Sequence, residues 1–140
     1  MIGWIALAVV VAILAGAAGW FLWWWRRPVQ LKVDYFQEQW KELQKRLRDK
    51  TNWPEAIIKA DQLLDQALRK KRISGRNMGE RLVKAQRLFT DNDGVWFGHK
   101  LRGQVEHDPA FKLKESDVKQ ALVGIRQALK DVGALQNDKR

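Results

Sequence analysis

Both histidines of the chain lie in one short stretch, GHKLRGQVEHDP, where they flank an arginine. His99 comes one helical turn before Arg102, and His107 completes an R-x4-H pattern with it. Arginine offers a fixed fork of donors to phosphate oxygens, and histidine exchanges protons with a hydroxyl or a leaving oxygen near neutral pH. RNA carries its own nucleophile, the 2′-hydroxyl, so such a site needs no metal. The stretch therefore predicts a phosphate site with Arg102 and His107 as catalytic residues and His99 in support.

A structural interpretation of the same residues stays open. On an ideal helix a step of five residues turns through about 140°, so Arg102 and His107 would not share a face. Arg102 would then pair with an aspartate in the core, and His107 would end its helix, where a cation interacts favourably with the helix dipole. No further ligands accompany His99 and His107 at a metal-binding spacing, so we expect no metal and no cofactor.

Two aspartates in an earlier helical segment, AIIKADQLLDQALRKK, are candidates for that pairing. At helical spacing Asp61 falls between Leu68 and Ile58 on the apolar stripe, and Asp65 falls beside Ile58. A carboxylate that faces a core is unfavourable unless it is paired or hydrogen-bonded. Each aspartate therefore predicts a cationic or donor partner from another helix. The alternative is that both lie at the edge of the stripe and face water.

The same segment ends in a basic run, RKKRISGR, which contributes five cations: Arg69, Lys70, Lys71, Arg72 and Arg76. Cations are favourable at a helix C-terminus, so a solvated helix end is one interpretation. The other is a basic patch that binds phosphate or lipid. No aromatic side chain is interleaved with these cations, which argues against a platform that stacks single-stranded bases.

Residues 2–25 contain no charged side chain and predict a membrane anchor. As a helix they would extend about 36 Å at about 1.5 Å per residue, which exceeds the roughly 30 Å of a hydrocarbon core. A secretory signal is the competing interpretation, because Ala15-Gly16-Ala17 resembles a cleavage pattern. No Lys or Arg precedes the apolar run, however, and the run continues beyond that pattern, so we expect a retained single-pass anchor.

The charge distribution predicts the orientation of this anchor and the kind of partner. Arg26, Arg27 and Lys32 follow the span, so the positive-inside rule places the N-terminus outside the cell membrane and the rest in the cytoplasm. The formal net charge is +10, all of it after the span, which favours anionic lipid or RNA as a neighbour. Small residues four apart in the span, Ala12-xxx-Gly16 and Ala15-xxx-Gly19, permit close helix packing and hence a homodimer.

The remaining sequence shows helical periodicity and no convincing strand. We expect a linker over 26–32 and amphipathic helices over about 33–50, 52–73, 77–90, 95–107 and 114–132. Asn77 and either Thr51 or Asn52 suit N-caps, Gly75 and Gly133 suit helix ends, DNDG at 91–94 suits a turn, and 136–140 suits a loose tail. This pattern predicts an all-α fold, an N-terminal transmembrane helix followed by a bundle of four to five helices over 33–135. The heptad-like first and last helices leave coiled-coil pairing as an alternative.

Several segments together resemble the HEPN superfamily, in particular small bacterial members with an N-terminal anchor. These segments are AIIKADQLLDQAL, GRNMGERL and VWFGHKLRGQVEHDPAFKL, followed by a helix with AL spacing, and the resemblance spans about residues 34–135. It implies a small helical bundle, dimeric in many members, that cleaves RNA without metal through R-x4–6-H. By this resemblance Arg102 would hold the scissile phosphate, His107 would act as general acid or base, and Asp61 or Asp65 would orient the arginine.

The chain departs from that superfamily at the residue after the motif arginine, which is typically Asn and is here Gly103. The resemblance therefore leaves two activities open, RNA cleavage and the binding of RNA or a nucleotide without cleavage. A membrane-proximal scaffold, with a basic surface against lipid and a protein partner, is the alternative function.

Overall fold

The fold is all-α, as expected, in a computed structural model that describes residues 1–27 and 29–137. The described residues contain helices and no strand. The helices are α1 (Ile2–Arg26), α2 (Val33–Arg46), a single 3-10 turn (Lys50–Asn52), α3 (Trp53–Lys70), α4 (Met78–Ala85), α5 (Asn92–His107) and α6 (Glu115–Asp131). Pro28 of the expected linker and residues 138–140 of the expected tail lie outside the described residues.

The first helix is separate from the hydrophobic core. It is 25 residues long and contains an 18-residue window with a mean hydropathy of 2.5, which makes it long and apolar enough to cross a membrane, and none of its residues is buried. At its C-terminal end the guanidinium of Arg27 lies 3.9 Å from the ring centre of Trp23, a cation–π contact. A cation on an aromatic ring suits the boundary between hydrocarbon and water.

The core of the bundle lies between α3, α5 and α6, with α2 against α3. The apolar stripe of α2 is buried at Phe36, Trp40 and Leu43, and that of α6 is buried at Val118, Leu122, Ile125 and Leu129. Because both stripes are buried within one chain, their heptad-like spacing reflects bundle packing rather than a coiled coil. Asp61 and Arg81 are the charged members among the buried residues of the described structure.

Close contact between α5 and α6 depends on glycines. A Cβ atom at Gly124 of α6 would overlap the backbone carbonyl group of Gly94 in α5. One turn further along α5, a Cβ atom at Gly98 would lie 2.9 Å from the Cδ1 atom of Ile125. The two backbones approach this closely only where side chains are absent. The glycines therefore fix the position of α5, the helix that carries both histidines.

The end of α3 differs from the expected one. The helix ends through Arg72, which adopts a left-handed conformation with φ of 63°, rather than at Gly75. The N–H of Ile73 then donates to the carbonyl of Leu68 at 3.0 Å, and the Ile73 side chain packs on the core. This is the hydrogen-bond pattern of a Schellman motif, with arginine in place of the usual glycine. Gly133, in contrast, ends α6 as expected, with φ of 83°.

The end of α4 and the start of α5 also differ from the boundaries expected from the sequence. DNDG is not a turn: Asp91 accepts a hydrogen bond from the Gly94 N–H at 2.9 Å and begins α5 three residues earlier than expected. A short acidic side chain in front of a helix satisfies an unpaired N–H group. The third predicted helix ends at Ala85 rather than near residue 90, and the Thr90 N–H donates to the Asp131 carboxylate at 2.8 Å.

Two helix starts were expected from capping residues, and one of them is confirmed. Asn77 accepts a hydrogen bond from the Glu80 N–H at 2.9 Å and caps α4. Asn52 precedes α3 without a side-chain cap, because its amide donates to the carbonyl of Arg46. The first amphipathic helix ends at Arg46 rather than near residue 50, and the 3-10 turn begins at Lys50.

We expect Gly124→Ala to destabilise the bundle although alanine is the better helix former. The new methyl group would force α5 and α6 apart, so the free energy of unfolding should fall by about 1–3 kcal/mol. Gly103→Ala is the matched control, because no other atom lies within 4 Å of a Cβ atom there, and it should stabilise by about 0.5–1 kcal/mol. Urea unfolding of the full chain in detergent micelles, followed by circular dichroism, measures both. A Gly124→Ala protein as stable as the wild type would contradict the close approach.

Arg72→Gly should stabilise the protein by about 0.5–1 kcal/mol, because glycine adopts the left-handed conformation without the steric cost of a Cβ atom. Lys71→Gly removes a cation from the same helix end but at a φ of −76°, so it should destabilise by a similar amount. The same unfolding measurement separates the two, and an equal effect of both glycines would show that backbone conformation is not the cause.

Candidate functional site

Asp61 lies at the centre of the candidate site and is completely buried in the middle of α3. Its carboxylate oxygen Oδ2 accepts a hydrogen bond from Nη1 of Arg102, in α5, at 2.8 Å. The expectation that this carboxylate has a cationic partner on another helix is therefore confirmed. A buried carboxylate without such a partner would be strongly unfavourable.

The same carboxylate also binds a histidine. Nδ1 of His99 lies 3.1 Å from Oδ2 and 3.3 Å from Oδ1 of Asp61. The His99 ring also meets Trp96 edge to face, with 5.9 Å between the ring centres. His99 thus contacts both a carboxylate and an aromatic ring.

Arg102 makes a second ion pair, and this one lies closer to the surface. Its Nε donates to Oε1 of Glu106, one turn further along α5, at 3.1 Å. Burial alone would lower the pKa of Arg102, but hydrogen bonds and opposite charge from Asp61, and then from Glu106, outweigh it and raise the pKa above its ordinary value. The guanidinium therefore stays protonated while 22% of the side chain remains exposed. We call Asp61, His99, Arg102 and Glu106 the Asp61 cluster.

The register of α5 explains why these groups meet. Trp96, His99, Arg102 and Glu106 follow one another at steps of three, three and four residues, so they share one face of the helix. Gly94 and Gly98 lie on another face of α5, where they allow close packing on α6. One face of α5 therefore contacts α6, and another presents its polar side chains to Asp61.

His107 lies apart from these contacts. It is the last residue of α5, and its exposed side chain forms no hydrogen bond or ion pair with the described residues. The structure therefore brings Arg102 together with Asp61 and His99, and it shows no contact between Arg102 and His107. The pairing of Arg102 with a core aspartate is the feature that the structural interpretation required.

Asp65 belongs to a different cluster. Its carboxylate accepts hydrogen bonds from Nε and Nη2 of Arg81, in α4, at 2.6 and 3.1 Å. Nη1 of Arg81 donates to the carbonyl of Gly75 at 2.8 Å, so this guanidinium is almost fully buried and connects α3, α4 and the loop between them. Asp65 also has a partner on another helix, as expected, but that partner is not Arg102.

The cations of the basic run at the end of α3 differ in their neighbours and their exposure. Nε of Arg69 lies 3.0 Å from Oδ2 of Asp65, which compensates part of its charge. The ammonium of Lys70 lies 5.0 Å from the ring centre of Tyr35 in α2. Lys71 is half-buried, and Arg72 and Arg76 are exposed. The sequence groups these cations, but the structure gives them different neighbours.

Two clefts in the structure lie away from the Asp61 cluster. One, of about 320 Å³, separates α2 from α3 and is lined by Gln39, Gln62 and Gln66 among others. The other, of about 290 Å³, lies between α2 and the end of α6 beside Trp40 and Lys41. Among residues 1–27 and 29–137, no group of three or more His, Asp or Glu side chains is arranged to hold a metal ion.

No family model, no curated protein and no solved structure matches the chain. The chemical assignment of the site therefore rests on the geometry of its side chains. In the described structure Nη2 of Arg102 donates to no protein group, which leaves one edge of the guanidinium for an anionic ligand. His99 contacts the same oxygen of Asp61 as Arg102 does. Together these groups can bind a phosphate and exchange a proton next to it.

Glu106 and Trp96 were not anticipated from the sequence as members of the site. Helical spacing was the available indication for both. Glu106 lies four residues after Arg102 and Trp96 lies three residues before His99, so each shares a helix face with its neighbour. Arg81 was missed as well, because a cation that is buried in a short helix has no distinctive spacing. Its partner Asp65, on the edge of an apolar stripe, was the available indication.

Asp61→Asn should destabilise the protein strongly, because it leaves the guanidinium of Arg102 half-buried with only the exposed Glu106 as a charged partner. We expect the free energy of unfolding to fall by about 2–4 kcal/mol. Glu106→Gln removes the other carboxylate of the same arginine at a more exposed position, so it should cost less than about 1 kcal/mol. Urea unfolding of both variants makes the comparison. Equal losses would mean that burial of Asp61 contributes nothing to its pair with Arg102.

Proposed function

We propose that the chain is a membrane-anchored RNA-binding module of the HEPN type, in which Arg102 contacts an RNA phosphate. The observation that carries the proposal is the 2.8 Å contact between Asp61 and Arg102. The resemblance to the HEPN superfamily implies that an acidic residue in an earlier helix orients the motif arginine. Asp61, in α3, has that relation to Arg102.

The electrostatics of the cluster support a phosphate ligand. Asp61 is buried and fixed, so it orients the guanidinium without competing for its exposed edge. Glu106 is more exposed and contacts the arginine through Nε, so a phosphate has access to Nη2. The net charge of +10 draws a polyanion towards the domain.

The R-x4-H pattern adds a possible reaction to this binding. The resemblance implies metal-independent cleavage, with His107 as general acid or base. Gly103 departs from the usual asparagine, but open space surrounds its Cβ position, so an asparagine would fit there. RNA binding without cleavage is the function that remains if the glycine abolishes the reaction.

The apolar helix α1 supports a location of this module at the cell membrane. We propose that α1 is a retained single-pass anchor in the cell membrane, with the N-terminus outside and the bundle in the cytoplasm, since Arg26, Arg27 and Lys32 follow the span. The small residues of α1 allow two copies to pack together. Confinement in one membrane would then raise the effective concentration of two facing sites.

Arg102→Gln should weaken RNA binding by at least about tenfold, because it removes the guanidinium and keeps a polar side chain near Asp61. The measurement is the fluorescence anisotropy of a short labelled single-stranded RNA with the full chain in detergent micelles. Affinity should fall steeply as salt rises. Lys119→Gln is the matched control, since it removes one charge from an exposed lysine of α6, and it should change affinity by less than about threefold.

An Arg102→Gln protein that remains folded and binds RNA as tightly as the wild type would contradict this proposal. The alternative scaffold with a basic lipid-facing surface predicts binding to anionic vesicles instead. That binding should be lost when four cations are neutralised, Arg69, Lys70, Lys71 and Arg72, and it should not change when His107 is replaced.

A further inference from the structure

We infer that His99, rather than His107, is the base that removes the 2′-hydroxyl proton from RNA bound at Arg102, and that Asp61 positions it. The assignment rests on the proposed RNA binding and adds a reaction and a catalytic residue to it. It follows from the contacts of His99, which the R-x4-H pattern does not include.

The hydrogen bond to Asp61 determines which nitrogen of His99 is available. A carboxylate accepts hydrogen bonds, so the Nδ1 atom that faces both oxygens of Asp61 carries the proton. In the neutral ring the lone pair then lies on Nε2, on the far side from the carboxylate. A ring whose tautomer is fixed in this way has the form that a general base requires.

The ring of His99 is also held in place and accessible. Trp96 packs edge to face against it, and Asp61 is completely buried behind it. The side chain nevertheless remains 25% exposed. A ligand can therefore reach part of the His99 side chain from solvent.

One oxygen atom of Asp61 contacts both His99, the assigned base, and Arg102, the assigned phosphate contact. Oδ2 of Asp61 accepts from Nη1 of Arg102 at 2.8 Å and lies 3.1 Å from Nδ1 of His99. A phosphate at the exposed edge of Arg102 therefore lies next to the imidazole. Rigid placement of a base beside its substrate is a large part of its catalytic contribution.

His107 lacks these features. It is exposed at the end of α5, and its ring forms no hydrogen bond or ion pair with a described residue that would fix its tautomer. A general base must lie within hydrogen-bond reach of the proton that it removes. Of the two histidines, His99 is the one whose ring lies beside Arg102.

The reaction assigned to this site is cleavage of single-stranded RNA by its own 2′-hydroxyl group. Nε2 of His99 takes the hydroxyl proton, O2′ forms a bond to phosphorus, and the bond from phosphorus to O5′ breaks. The leaving O5′ takes a proton from water, and the resulting hydroxide recovers the proton from His99. The products are a 2′,3′-cyclic phosphate and a 5′-hydroxyl end, and a strand without 2′-hydroxyl groups is not a substrate.

The test measures the cleavage rate of a short labelled single-stranded RNA at saturating concentrations of the full chain in micelles. His99→Ala should lower the rate at least about 100-fold while RNA affinity changes less than twofold, and added imidazole should restore part of the rate. His99→Phe keeps a ring against Trp96 and should be equally slow without rescue. His107→Ala should stay within tenfold of the wild type.

A second measurement examines the positioning role of Asp61. Nitrogen NMR of the imidazole groups should show the proton of neutral His99 on Nδ1 in the wild type, and this preference should weaken in Asp61→Asn, because a neutral amide oxygen is a weaker acceptor than a carboxylate. A merely structural role for His99 predicts no rescue by imidazole.

The possible outcomes distinguish failure of this assignment from failure of the proposed RNA binding. RNA that is bound but not cleaved by the wild type overturns the assignment and leaves the binding function intact. Cleavage that survives in His99→Ala and is lost in His107→Ala also overturns it and makes His107 the base. Failure to bind RNA at all removes the proposed function together with the assignment.

Discussion

The buried carboxylate of Asp61 is the constraint on which the site depends. A carboxylate in the interior requires compensation by hydrogen bonds and opposite charge, and here α5 supplies both through Arg102 and His99. The compensation fixes two chemically useful side chains at one place on the surface of the bundle. Stability and candidate chemistry thus arise from the same contacts, since the loss of Arg102 would leave the buried carboxylate without its permanently charged partner.

The helix that supplies this compensation is positioned by contacts on another face. The glycines of α5 and α6 let their backbones touch, so α5 cannot slide or rotate without steric overlap at Gly94 and Gly124. The face that carries His99 and Arg102 is therefore directed at α3. Packing between α5 and α6 sets the geometry of a cluster to which α6 contributes no side chain.

Much of the fold and part of the site are accessible from the sequence. Periodicity predicts the helices and the all-α class, and the cost of a buried carboxylate predicts partners for Asp61 and Asp65. The end of α3 is different, because a left-handed arginine depends on the docking of Ile73 rather than on local preference. The choice of Arg102 for Asp61 and Arg81 for Asp65 depends on how three helices pack, which spacing along one helix does not specify. The same limit explains why His99 counted only as a supporting residue.

The most direct measurement is the site of photo-crosslinking between the full chain and an RNA that carries 4-thiouridine. If the Asp61 cluster binds RNA, crosslinked peptides should come from the face of α5 that includes Trp96, His99 and Arg102, and they should decrease in Arg102→Gln. Crosslinks confined to the basic run between Arg69 and Arg76, and unaffected by that substitution, would contradict the assignment of the site.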